Sequence, residues 1–167
     1  MLIIRIQIFD MKRIFIITAF VCLVVVVVVI IRKSNEMTAS TQCACIIRHA
    51  IIVADKYKDN LSCERMASEI NSLSTGDKGL LKRNATGRLI DPWGNPLYVK
   101  IENNSNRWVV VVASVPMQGL LYRHKTIGRR MEATMSDKGL SQTKIDTLNS
   151  LPTNPPSATT ATTPEKH

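Results

Sequence analysis

An uncharged apolar run from Ile14 to Ile31 constrains this chain more than any other feature. Its 18 residues (14–31) would rise about 27 Å as an α-helix, close to the thickness of a bilayer's hydrocarbon core. Lys12 and Arg13 precede the run, and Arg32 and Lys33 follow it. A buried soluble helix is disfavoured because so small a domain cannot surround it, and a cleaved signal peptide because the run is too long. The sequence therefore predicts one membrane span at 14–31.

The net charge of the chain and its distribution indicate which classes of partner to expect. The formal net charge is +9 over 167 residues, and no dense basic run of the kind found in nucleic-acid-binding proteins occurs. The basic residues that flank the span favour membrane lipid as a partner instead. Arg5 tips the charge balance towards a cytoplasmic N-terminus, so residues 1–13 are predicted to lie in the cytoplasm.

Two helices are predicted after the span. Residues 39–58 carry apolar side chains at spacings of three and four, which is typical of a helix with one buried face. Lys58, Asp59 and Asn60 then offer a break, and Ser62 is a suitable N-cap for a second helix at 63–73.

A compact turn follows, and it leads into a small sheet. The turn contains two prolines, a glycine and a tryptophan; its residues are Asp91, Pro92, Trp93, Gly94, Asn95 and Pro96. Residues 97–114 read as a hairpin whose second strand is apolar throughout and therefore central. Residues 120–127 are a candidate third strand, whereas 131–167 are predicted to be weakly ordered and to end in a disordered Pro- and Thr-rich tail.

Two residues of the turn have predicted roles. We expect Asp91 to accept hydrogen bonds from backbone N–H groups of its own turn, as aspartate does in Asx-type turns. We expect Trp93 to clamp the turn against the helix, because its apolar area far exceeds that of its neighbours. The predicted fold class is α+β: a membrane-spanning helix continues into a helical stalk that packs on a small antiparallel sheet in a domain at 34–130.

No set of residues in the sequence points to catalysis. His49, His124 and His167 have no carboxylate or cysteine partner at a recognisable spacing, and no nucleotide, metalloprotease or hydrolase motif occurs. We therefore predict a protein that is not an enzyme and that has no cofactor and no metal site.

Three cysteines follow the span, and their pairing is open. Cys43, Cys45 and Cys63 are candidates for a disulfide. A bridge to Cys63 requires the helix to break before it, since about 30 Å would separate Cys43 and Cys63 on one straight helix.

The order of these elements resembles that of the major pseudopilins of bacterial type II secretion systems. The residues from Leu89 to Tyr98 are similar to the family's "DPWGNPY"-like segment between helical stalk and sheet, and Ala54 to Asn60 resembles the end of its long helix. The resemblance covers roughly residues 44–114. It implies a single-pass protein of the bacterial inner membrane, with its C-terminal domain in the periplasm and other pilin-like subunits or secretion-system proteins as partners.

The chain also departs from the family pattern. Pseudopilins are cut after a glycine and keep a glutamate near the start of the apolar segment, but here the first glycine is Gly76 and no acidic residue lies between Asp10 and Glu36. Calcium is not carried over, because residues 114–130 contain no carboxylate. We therefore expect a structural component of a type II secretion or pilus-like apparatus that acts by subunit packing. The alternative is a stand-alone single-pass envelope protein whose exterior domain binds a partner or ligand.

Overall fold

The computed structural model describes residues 2–73, 80–104, 107–115, 125–136 and 139–150. The chain divides into two compact units, Met1–Thr38 and Ala39–His167. The described part contains a long helix followed by small antiparallel sheets, so the predicted α+β class is confirmed.

The first unit consists of helix. The helix α1, Leu2–Lys56, contains the predicted span, and each large apolar side chain between Ile14 and Ile31 is exposed. Thr18 directs its hydroxyl back to the carbonyl oxygen of Ile14 at 2.9 Å, so this polar group is satisfied within the helix. Among the described residues, α1 alone is long and apolar enough to cross a membrane.

The second unit begins with the C-terminal third of α1, whose buried residues recur at helical spacing. A 3₁₀ turn at Lys58–Asn60 separates α1 from the second helix, α2, Cys63–Ser72. Ser62 caps α2 as predicted, because its Oγ accepts a hydrogen bond from the backbone N–H of Arg65 at 3.1 Å. Both helices contribute to one core; its helical members are Cys43, Ile46, Ile47, Ala50, Val53, Ala54, Met66 and Ile70.

Arg83 closes the other end of α2. Its guanidinium donates to the carbonyl oxygens of Asn71 at 2.5 Å and Leu73 at 2.9 Å, which have no partner of their own at a helix C-terminus. It also donates to the carbonyl of Gly87 at 2.6 Å. Gly87 lies in the turn between strands β1, Lys82–Arg83, and β2, Leu89–Ile90, where its φ of +78° suits glycine.

The main sheet has four antiparallel strands in sequence order. They are β3, Tyr98–Asn104; β4, Arg107–Ser114; β5, Ile127–Ser136; and β6, Gly139–Leu148. The first two form the predicted hairpin. Strand β4 is central and, apart from Arg107, buried along its whole length, as its unbroken apolar sequence predicts.

The C-terminal half of the sheet corrects the sequence analysis. Strand β5 begins at Ile127 and continues past the predicted domain end at residue 130, and β6 lies wholly beyond that end. Most of the candidate third strand at 120–127 falls on residues outside the described part. Residues 116–124 and 151–167 lie outside the described part. The sequence concealed β6 because it is an edge strand with few buried side chains, so its apolar and polar residues alternate weakly.

The strand register places side chains in rows across the sheet. The core-facing side carries Trp108, Val110 and Val112 of β4, with Met131 and Ala133 of β5 beside them. We call the opposite side of the sheet the outer face. Two of its rows are Glu102–Val109–Glu132–Lys144 and Lys100–Val111–Arg130–Asp146.

Gly128 permits the close pairing of β5 with β4. A Cβ atom added at this position would lie 2.8 Å from Ala113 Cβ and 2.9 Å from the carbonyl oxygen of Val112. Both atoms belong to the neighbouring strand and cannot rotate away, so the strands would have to separate.

We expect Gly128→Ala to lower the free energy of unfolding by about 1–3 kcal/mol, the usual cost of overpacking a buried position. Thermal unfolding of the detergent-solubilised protein, followed by circular dichroism, measures the change. Thr143→Ala on the exposed part of β6 is the control and should change the midpoint little. Equal midpoints for the wild type and Gly128→Ala would show that β5 does not pair this closely.

Candidate functional site

The candidate site is the turn at Asp91–Pro96, because these residues form the most distinctive motif in the sequence. Its backbone closes on itself: the N–H of Gly94 donates to the carbonyl oxygen of Asp91 at 3.0 Å, and the N–H of Asp91 donates to that of Asn95 at 2.8 Å. Gly94 has a φ of +86°, a conformation that other residues rarely adopt. The ring of Pro92 restricts the φ angle of this residue, which limits the conformations that the turn can adopt.

Asp91 holds this turn from inside the protein. Its side chain is buried, and its Oδ1 accepts hydrogen bonds from the backbone N–H groups of Trp93 at 2.9 Å and Asn95 at 2.8 Å. The predicted Asx-type role is therefore confirmed. Its second oxygen, Oδ2, accepts a hydrogen bond from the hydroxyl of Ser114 at 2.6 Å, which the sequence did not predict. One carboxylate thus joins the turn to the last residue of the central strand β4.

The segment that precedes the turn is bound to helix α1 through Gln42. The side chain of Gln42 is buried, and its Nε2 donates to the carbonyl oxygens of Leu80 at 2.6 Å and Ile90 at 3.4 Å. The sequence analysis missed Gln42, although a lone glutamine among apolar residues of a helical face was a usable signal. Gln42 Oε1 and Asn95 Nδ2 are buried and have no hydrogen-bond partner within the described part of the chain.

Of the two tryptophans, Trp108 belongs to the buried core. Trp108 of β4 is 3% exposed, whereas the side chain of Trp93 is half-buried and lies outside the core cluster. The role of Trp93 as a clamp between the turn and the helix stays a prediction. Hydrogen bonds to Asp91 also hold the turn.

Cys43 lies close to the same polar residues. Its thiol donates to the carbonyl oxygen of Ile127 at 3.6 Å. Burial raises the pKa of the Cys43 thiol to about 11, and the charge of Asp91 acts in the same direction. Such a thiol is a poor nucleophile at neutral pH.

The cysteines predicted as disulfide candidates are free thiols in the structure: Cys43 is buried, and Cys45 and Cys63 are half-buried. Cys43 lies 13 positions before the end of α1 at Lys56 (56 − 43), or about 20 Å along its axis, while Cys63 begins α2 beyond that end. The helix break is present where the sequence predicted it, but Cys43 and Cys63 still lie at different positions along the axis of α1.

The histidines fall in two groups. His49 is half-buried on α1 rather than fully exposed, and its Nε2 is buried without a hydrogen-bond partner among the described residues. His124 and His167 lie outside the described part of the chain. In that part no group of three or more histidine, cysteine or acidic residues could hold a metal ion.

An open cleft beside α2 has a purely polar lining. Its residues are Asn60, Ser62, Glu64, Arg65, Ser68 and Glu69. Several already have structural partners: Ser62 caps α2, and Glu69 accepts a hydrogen bond from the hydroxyl of Tyr57 at 2.8 Å. The guanidinium of Arg65 lies over the Tyr57 ring, 5.0 Å from its centroid. This cleft holds no pairing of a nucleophile with a base.

The outer face of the sheet carries a layer of charged side chains. Arg107 and Arg130 both bind the carboxylate of Glu132, Lys100 pairs with Glu102 at 2.5 Å, and Lys144 pairs with Asp146 at 3.1 Å. The hydrogen bond from Arg107 lowers the pKa of Glu132, and the charge of Arg130 adds to the effect. Val109 and Val111 are buried beneath this layer, since the long aliphatic stems of charged residues can cover apolar surface.

Comparison with known proteins adds no relative. No family model, no curated protein and no solved structure matches this chain.

We expect Asp91→Ala to lower the free energy of unfolding by about 3 kcal/mol, because it leaves two backbone N–H groups and the Ser114 hydroxyl without their acceptor. Ser114→Ala, which removes only one of these bonds, should cost about 1 kcal/mol. Thermal unfolding in detergent measures both changes. Equal destabilisation by the two variants would contradict a role of Asp91 in holding the backbone of the turn.

We expect alkylation at pH 8 to separate the cysteines of the folded protein. A thiol pKa of about 11 instead of 9.0 lowers the thiolate fraction of Cys43 about 100-fold, and burial slows access further. Mass spectrometry after brief iodoacetamide treatment should find Cys45 and Cys63 modified well before Cys43. Unfolding in guanidinium chloride should remove the difference, and early labelling of Cys43 without denaturant would show that it is not buried.

Proposed function

We propose that this protein is a membrane-anchored, pilin-like structural component of a type II secretion or pilus-like apparatus, and that it acts by subunit packing. The observation that carries the proposal lies in α1. One helix contains an exposed apolar run long enough for a bilayer and, further along, the buried face of an α+β unit. A chain built in this way needs lipid or other subunits around residues 14–31, since exposed apolar surface of that extent is unfavourable in water.

The folded unit supports the proposal through its element order. A helix, a short second helix, a proline-rich turn and an antiparallel hairpin follow one another, as the resemblance to major pseudopilins implies. The turn is held by the buried Asp91 carboxylate, so the motif that carries the resemblance has a structural rather than a catalytic role. Under this proposal the protein crosses the bacterial inner membrane once, and the unit from residue 39 onwards lies in the periplasm.

A second candidate function rests on what the sequence lacks. Without a glycine before Gly76 and without an acidic residue between Asp10 and Glu36, the usual processing and register signals of pseudopilins are missing. This favours a stand-alone single-pass envelope protein whose exterior unit binds a partner or ligand. The two candidates differ in what surrounds the protein in the membrane: many copies of itself or one different chain.

Two measurements on bacterial membranes test the proposal. The full-length protein should stay in the membrane pellet after alkaline carbonate extraction, because its apolar run is integrated in lipid. Val24→Asp with Val27→Asp, which puts two charges in the span, should release it, whereas Val24→Leu with Val27→Leu should not. Extraction of the wild-type protein by carbonate would contradict the anchor.

Amine-reactive cross-linking in the same membranes then separates the two candidate functions. A ladder of self-oligomers is expected if the protein acts by subunit packing. A single product that contains one other protein would favour the stand-alone alternative.

A further inference from the structure

The four-stranded sheet ends at β3 on one side, where α2 is in contact with β3, and at β6 on the other side. Within the described residues, the strand hydrogen bonds of β3 go to β4 alone, and those of β6 go to β5 alone. Because the strands alternate in direction and are even in number, β3 and β6 run in opposite directions. The β6 edge of one copy can therefore pair antiparallel with the β3 edge of a second copy that has the same orientation.

The side chains along the two edges are complementary in charge. If a second copy continues the sheet without a shift between rows, Lys144 lies opposite Glu102 of that copy, and Asp146 lies opposite its Lys100. Both pairs join opposite charges, and both arise from one register. A shift by two residues in either direction loses at least one of them.

The apolar residues of the edges match in the same register. Ile145, which is 48% exposed, lies opposite Ile101 on the core-facing side, and Leu148 lies opposite Tyr98 on the outer face. Cross-strand pairs of these kinds stabilise sheets, and the Ile145 side chain has no other cover within the described part of this edge.

We propose that copies of this protein associate head to tail through these edges, with β6 of one copy paired to β3 of the next, so that Lys144 meets Glu102 and Asp146 meets Lys100. This inference rests on the proposed function and specifies the contact through which the subunits pack. Continuation along the same rows also preserves the alternation of close and wide hydrogen-bonded pairs that a regular antiparallel sheet requires.

The geometry suits a membrane-anchored chain. A head-to-tail contact has no two-fold axis, so it does not force neighbouring copies to point in opposite directions. Because the two edges are different surfaces, the contact extends to an open array or a ring instead of stopping at a dimer. The chain's own tail is a weaker candidate for this edge, since residues 151–167 contain four prolines, which have no N–H to donate.

Zero-length cross-linking of the full-length protein in native membranes tests the contact directly. A carbodiimide joins an ammonium to a carboxylate only when the two groups touch. Within one chain, Glu102 and Lys144 are separated by three strand spacings, about 14 Å, so a peptide that joins them must come from two copies. We expect mass spectrometry to find the Glu102–Lys144 and Lys100–Asp146 links.

Charge reversal tests the same contact energetically. Lys144→Glu alone and Glu102→Lys alone each put like charges at the interface, so each should weaken self-association about tenfold. Co-expression of the two variants should restore it, because each chain then meets an opposite charge on its neighbour at both edges. Lys82→Glu and Asp55→Lys make the same charge changes at exposed positions outside the four-stranded sheet and should not change self-association.

Circular dichroism checks that the variants fold. If Lys144→Glu does not fold, the single variants Asp146→Lys and Lys100→Asp, tested alone and then co-expressed, make the equivalent exchange on the next row.

Three outcomes would overturn the inference, and they separate it from the proposed function. An oligomer ladder without the Glu102–Lys144 link would show that subunits pack through another surface, which leaves the proposed function intact. Stronger association of Lys144→Glu would show that the lysine protects the edge from pairing. Absence of any self-oligomer would refute both the interface and subunit packing.

Discussion

The packing of the C-terminal third of α1 on strand β4 is the contact on which the folded unit depends. The buried helical face from Cys43 to Ala54 and the core-facing side chains of β4 belong to a single apolar cluster. Helix α2 and strand β5 add to this cluster but do not replace it. Since β4 is central in the sheet, its position determines where β3 and β5 can pair, and through them β6. Burial of this apolar area therefore drives the fold, in keeping with the dominance of the hydrophobic effect in small domains.

Polar contacts determine the position of the segment between α2 and β3 relative to this core. Asp91 binds the backbone of its own turn with one oxygen and the end of β4 with the other. Gln42, which lies on α1, donates to the carbonyl groups of Leu80 and Ile90. These groups are buried, so each missing bond would cost more than an exposed bond contributes. These bonds fix the position of the segment, although Gln42 Oε1 and Asn95 Nδ2 have no hydrogen-bond partner within the described part of the chain.

The sequence predicted best where its pattern had a single physical meaning. The apolar run at 14–31, the N-cap at Ser62, the hairpin and the Asx-type role of Asp91 all follow from local rules. Prediction failed where tertiary contacts decide the outcome. The large area of an indole does not indicate which of the two tryptophans enters the core, and here it is Trp108. Strand β6 has an edge position in which few side chains are buried, so no pattern marked it. The link from Asp91 to Ser114 joins residues 23 positions apart, and no local rule relates them.

The three bonds of the Arg83 guanidinium have a consequence for the dynamics of the protein. One side chain fastens the final turn of α2 and the tip of the β1–β2 hairpin, two elements that are otherwise short and marginal on their own. Loss of this one side chain would therefore remove support from both elements at once, although they are separate in the sequence.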